Sequence, residues 1–143
     1  MILNEIEASR SAGLEARRPD GTLDTAALAA AVERLYESGN MEFVAVHMPE
    51  GVYVRERNGQ RFWQGSLEVP QAFIQGKLGA GDAFCAGFLF AIHEGKSLQE
   101  AAHFGTCAAT ACLAHSSATE GLRPAAELLE LARSFPQRRP PVE

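Results

Sequence analysis

At 143 residues, 46% hydrophobic and 22% charged, the chain can bury a core and fits one domain or part of a larger one. Its formal net charge of −5, with no Lys/Arg patch interleaved with aromatics, argues against a nucleic-acid partner. The longest wholly apolar run, residues 83–92, is about half a membrane span. The lead Met1-Ile2-Leu3-Asn4-Glu5 lacks the charged start and long apolar stretch of a secretion signal. Three cysteines in such a chain point to reduced thiols and a cytoplasmic setting, with no membrane partner.

In chain order, residues 1–3 are a short apolar lead, and residues 4–13 read as a short helix or turn ending at Gly13. A polar loop with Pro19-Asp20-Gly21 follows. Thr22 or Asp24 can cap the next helix, which runs to about Ser38 and stops at Gly39, with Leu28, Val32, Leu35 and Tyr36 on one face. Phe43-Val44-Ala45-Val46 alternates too little for a half-exposed strand and suits a buried parallel strand beside a crossover helix. Pro49-Glu50-Gly51 turns the chain into Val52-Tyr53-Val54, and Asn58-Gly59 signals a hairpin into Gln60 to Trp63. Leu67 to Pro70 then leads back towards a glycine loop. Phe62 and Trp63 fit core or sheet-face packing.

Beyond that loop two helices are expected. The first follows Asp82 and stops near Gly95. The second opens with Ser97 and Glu100 in a capping-box pattern. Leu98, Ala101, Ala102, Gly105, Ala108, Ala109 and Cys112 give this second helix a small-residue face, suited to close helix packing or to a flat ligand. Pro124 can open a last amphipathic helix. The tail, residues 136–143, is rich in proline and arginine and is expected to fray. The whole reads as mixed α/β, a mainly parallel sheet with a meander.

Gly79-Ala80-Gly81-Asp82 carries the chemistry. Small residues leave amide N–H groups uncovered, and a helix starting here adds its free first-turn donors and positive dipole end. A carboxylate at an anion pocket is repelled unless it has a task. Taking the proton from an attacking hydroxyl is one such task, and capping the helix is the plainer alternative. Gly76-Lys77 does not make a Walker loop, because no Ser or Thr follows Lys77. His47, His93, His103 and His115 have no accompanying metal motif and read as structural, and Cys85 reads as packing.

Gly79-Ala80-Gly81-Asp82 with Phe84, Ala86-Gly87 and Leu89, preceded by Asn4-Glu5-Ile6-Glu7 in this order, resembles the signature of the ribokinase-like (PfkB-type) sugar and nucleoside kinases. The resemblance spans about residues 1–135 and implies a three-layer, Rossmann-like α/β sheet flanked by helices. It implies transfer of the γ-phosphoryl group of ATP to a sugar or nucleoside hydroxyl. Gly79, Ala80 and Gly81 would form the anion hole, and Asp82 would be the general base. Asn4 and Glu7 would help place Mg²⁺, mainly through water. Gly51, Thr106 and Ala109 would border the nucleotide.

Two sites depart from the family pattern. Gly76, Lys77 and Leu78 stand where an acidic residue and a threonine often mark a monovalent-cation site, so that site is not expected; the Lys77 ammonium could supply the charge instead. Met48 replaces the first of two glycines usual in the nucleotide turn. Family members are about twice this length, so the chain is expected to be the C-terminal portion of a kinase. An open sheet edge would then favour a homo-oligomer, or a non-catalytic nucleotide-binding or assembly module as the alternative.

Overall fold

The computed structural model describes residues 1–141. Among the described residues, one strand and two α-helices are followed by three consecutive strands and then by three α-helices. Strand β1 (Ile2–Asn4) leads directly into α1 (Glu5–Ser11), and α2 (Thr25–Ser38) crosses to β2 (Phe43–Met48). β3 (Gly51–Glu56) and β4 (Arg61–Gly65) complete one sheet in the order β1-β2-β3-β4. β1 and β2 are parallel, with Leu3 opposite Val46, whereas β2 and β3 are antiparallel, with Val46 opposite Tyr53. The sheet is therefore mixed, not mainly parallel. The two-residue connection Pro49-Glu50 permits only an antiparallel return, so one parallel crossover is followed by a meander. The apolar lead is itself a strand, three residues long.

The backbone divides into two compact units, residues 1–63 with 140–141, and residues 64–139. In the first, Asp24 caps α2 by accepting from the Ala27 N–H at 2.9 Å, and Gly39 ends that helix. Leu28, Val32 and Leu35 of α2 pack with Val44, Val46 and Tyr53 of the sheet. Val44, Ala45, Val46, Val52 and Val54 are fully buried, so β2 and β3 are covered on both faces, as their near-continuous apolar sequence requires. Trp63 lies on Tyr53 with ring centroids 4.6 Å apart.

The second unit is built on α3 (Ala80–His93) and α4 (Leu98–Leu113), with α5 (Ala125–Arg133) against α4. The small-residue face of α4 is a packing face. A Cβ on Gly105 would stand 2.8 Å from the Phe84 carbonyl oxygen, and one on Gly87 2.9 Å from the Ala108 methyl. The first part of the tail, residues 136–138, is pinned where fraying was expected. Glu68 N–H donates to the Pro136 carbonyl and Arg138 N–H to the Ser66 carbonyl, both at 2.8 Å, and Leu67 bridges to Gln137. Fraying was inferred from side chains, but these bonds belong to the backbone. The last two residues of the expected tail, 142 and 143, lie outside the described residues.

Candidate active site

In the first unit, Asn4 ends β1 in an extended conformation and caps α1. Its Oδ1 accepts from the Glu7 N–H at 2.8 Å, and the Glu7 Oε2 accepts from the Asn4 N–H at 2.9 Å. This reciprocal capping box satisfies two donors that the helix start would leave unpaired. Asn followed three residues later by Glu is the same sequence signal as Ser97 followed by Glu100. Glu7 is exposed at the surface.

Because β1 and β2 are parallel, their carboxyl ends share one edge, where Asn4 is in register with His47. The Pro49-Glu50 turn and Gly51 follow immediately, with Met48 opposite Gly51. Ligands of α/β proteins bind outside the carboxyl ends of parallel strands. Asn4 and Glu7, and Gly51 more distant in sequence, are thus gathered at the carboxyl end of the parallel pair.

Sequence reasoning missed Arg17, which it left in a polar loop. Its Nη2 donates to Glu5 Oε1 at 2.7 Å and to Glu50 Oε2 at 2.8 Å, and its Nη1 donates to Glu50 Oε1 at 2.5 Å. The two carboxylates, Glu50 foremost, push the guanidinium pKa further up against the opposing effect of burial. Glu5, between the capping residues, is buried as a result of this pairing.

In the second unit, the glycine loop opens α3 three residues earlier than expected. Gly79 is the N-cap, with a left-handed φ of 78°, and Ala80, Gly81 and Asp82 are the first three helical residues. A cap in this conformation has no side chain to offer, so Asp82 is not the N-cap. Its carboxylate sits in the first turn, exposed. Ala80 N–H reaches the Lys77 carbonyl only at 3.4 Å, and the first full helical bond is Ala83 N–H to the Gly79 carbonyl at 2.8 Å. Among the described residues no acceptor pairs with the N–H of Gly81 or Asp82. Two free donors and a positive dipole end therefore lie beside one carboxylate.

The loop is held from beneath. The Cys112 thiol, on α4, lies 3.4 Å from both the Leu78 and Ala118 carbonyl oxygens. Burial, and secondarily the Asp82 charge, raise the Cys112 pKa. A Cβ on Gly76 would stand 2.8 Å from the His115 carbonyl oxygen, so residues 76–79 lie directly against residues 115–118. Lys77 is exposed and makes no ion pair among the described residues.

Of the expected nucleotide border, Ala109 is half-buried and Thr106 is buried. The Thr106 hydroxyl donates to the Ala102 carbonyl at 2.9 Å and accepts from Gln64 Nε2 at 3.3 Å. That hydroxyl is spent inside the fold, leaving only surface for a ligand. His103 Nε2 and the Cys107 sulfur are 3.7 Å apart, and burial pushes the Cys107 thiol up to about 11, which keeps it protonated and inert at neutral pH. Among the described residues no group of three or more His, Cys, Asp or Glu side chains could hold a metal ion. No helix among them is long and apolar enough to cross a membrane.

The family model of the pfkB carbohydrate kinases matches residues 1–125, and the chain belongs to that family. It is similar to an uncharacterized sugar kinase of Archaeoglobus fulgidus, 36% identical over 97 residues, covering 64% of this chain and 35% of the relative. Among solved structures it resembles Arabidopsis thaliana ribokinase complexed with ribose and ATP, with 26% identity and a TM-score of 0.76 over 92% of this chain and 40% of that one. It also resembles Thermotoga maritima ribokinase, with 27% identity and a TM-score of 0.72 over 93% of this chain and 41% of that one. The fold is thus the ribokinase-like α/β arrangement of a mixed sheet flanked by helices. The chain spans about a quarter to a third of the length of the curated relatives it matches.

Proposed function

We propose that residues 1–135 are the C-terminal nucleotide-binding and phosphoryl-transfer part of an ATP-dependent kinase acting on a sugar or nucleoside hydroxyl. The observation that carries this reading is the start of α3, where the unpaired N–H groups of Gly81 and Asp82 stand beside the Asp82 carboxylate. Phosphoryl transfer calls for positioning and charge stabilisation more than covalent help. The loop Gly79, Ala80 and Gly81 receives the transferring group. Asp82 takes the proton of the substrate hydroxyl as its oxygen bonds to the γ-phosphorus and the bond to the β-phosphate oxygen breaks, releasing ADP. Gly51, Thr106 and Ala109 border the nucleotide.

The donors present fit Mg²⁺ only through water. One oxygen of Glu7 and the Asn4 Oδ1 are already committed to the capping box, so Glu7 Oε1 would be the atom left to hold Mg²⁺ through water. Mg²⁺ keeps several waters and takes its other ligands from phosphates, so a dedicated protein cage is not needed. It would neutralise charge on the transferring phosphates. The match to a ribokinase complexed with ribose and ATP supports ATP and a small sugar as ligands. Among the described residues the outer edge of β1 has no strand neighbour, which favours association of copies as a second reading, that of an assembly module.

Calorimetric titration of the 143-residue chain with Mg-ATP tests the nucleotide reading. Gly81→Val, which covers the free amides, should abolish binding, and Asp82→Asn should spare it. In a kinase that contains this chain with a substrate-binding part, Asp82→Asn should lower kcat by about 10²–10⁴. A folded chain that binds no nucleotide but dimerises with concentration would overturn the reading in favour of assembly.

A further inference from the structure

We propose that Arg17 is a positioning residue that locks the Asn4–Glu7 turn to the Pro49-Glu50-Gly51 turn at the carboxyl end of the sheet. The inference rests on the nucleotide reading above for its purpose but not for its mechanics. Glu5 lies 12 residues from Arg17 in sequence and Glu50 lies 33 away, and a single Nη2 donates to both. Arg17 Nε adds a second bond to Glu5 Oε1 at 3.1 Å. The arginine is itself mounted rigidly. Its backbone bridges to Leu23, the Ala16 carbonyl accepts from the Asp24 N–H at 2.8 Å, and its Nη1 donates to the Gly21 carbonyl at 3.2 Å.

Two carboxylates placed alone at this edge would repel each other and push the turns apart. One guanidinium between them holds both, and its planar fork sets direction as well as distance. Lysine, with one nitrogen, cannot hold both with the same directional fork. Glu5 is the first residue of α1 and lies between Asn4 and Glu7, so any movement of Glu5 moves the capping pair. Glu50 adjoins Gly51 in the same way. A phosphate-bearing ligand that spans the two turns meets them in one fixed separation.

The test combines amide exchange with binding on the 143-residue chain, with near-UV circular dichroism confirming that each variant is folded. Glu50→Gln should speed exchange of the Glu7 amide about tenfold, although the two residues lie on different turns, and Arg17→Met should do the same. Arg17→Lys should recover only part of the protection. Mg-ATP affinity should fall about tenfold in Arg17→Met. An unchanged Glu7 exchange rate in Glu50→Gln overturns the lock, as does parental Mg-ATP affinity in Arg17→Met when the parent binds. Loss of the parental Mg-ATP signal itself counts against the nucleotide reading, and the exchange result then decides the lock alone.

Discussion

The two units of the chain solve the same problem by opposite means. Each holds a short candidate segment steady at the start of a helix. Residues 1–63 do so with charge, through a capping box at Asn4 and Glu7 and one arginine shared by two glutamates. Residues 64–139 do so by omission, with glycines at positions where backbone or methyl groups already fill the space of a side chain. A charged tie resists motion along particular directions and can be loosened by degrees. A steric fit tolerates nothing larger than hydrogen.

The sharpest way to break this contrast is to add a side chain in the second unit. At Gly121 a Cβ would meet the Ala111 carbonyl oxygen and Cα of Cys112, both on α4. Gly121→Val should cost about 3 kcal/mol or more in chemical denaturation, the range expected when overpacking meets backbone. Gly13→Ala in the first unit meets nothing within 4 Å and carries only the strain of its positive φ, about 1–2 kcal/mol. Equal losses at the two positions would erase the distinction.

Removing the charged tie comes next. Arg17→Ala leaves Glu5, with only 11% of its side chain exposed, facing Glu50 without a cation. A loss of about 2–3 kcal/mol in urea denaturation is expected, below that for a deeply buried pair because Glu50 reaches water. Replacing Glu5 as well, as Arg17→Met with Glu5→Met, should recover part of the loss, since the penalty lies in the stranded carboxylate.

Caps occur in both units and should behave alike. Asn4→Ala and Ser97→Ala should each cost about 1 kcal/mol, read from thermal midpoints. The smallest effect is the response to acid. The Asp24 carboxylate, accepting from the Ala27 N–H, and the Glu100 carboxylate, accepting from the Ser97 N–H, are both held below the usual carboxylate range. A depressed folded pKa stabilises fully above the unfolded value, about 4, and that contribution is lost as pH falls through the folded value. Asp24→Asn and Glu100→Gln should therefore flatten the fall of the thermal midpoint between about pH 5 and pH 2. A flattening in one unit only would show that the caps are not equivalent.

How much of this was legible in the sequence follows from the range of the forces. α2, β2, the hairpin at Asn58-Gly59 and the capping box at Ser97 are set by residues within a few positions of one another, and all can be read from the chain. β1 escapes because three residues are too short to show a period. The start of α3 was placed late because Asp82 is a good cap by type, whereas Gly79 takes that place through a backbone angle that no side chain announces. Arg17 could not be paired from sequence, since its two partners are 12 and 33 residues away and become neighbours only when β1 and β2 align. The pinned tail was invisible for a different reason, because main-chain bonds at Pro136 and Arg138 do not depend on which side chains are there.

The glycines at 65, 76, 79, 105 and 121 carry a consequence for how this chain can vary by descent. Every amino acid other than glycine bears a Cβ, so every missense change at these five positions meets main chain, whatever its polarity or size. No second change elsewhere can absorb an atom that collides with main chain unless the main chain itself moves. An ion pair can be traded for another by two steps through a weakened intermediate. The glycine-lined half of the molecule has no such route, and its history should be written in silent codons.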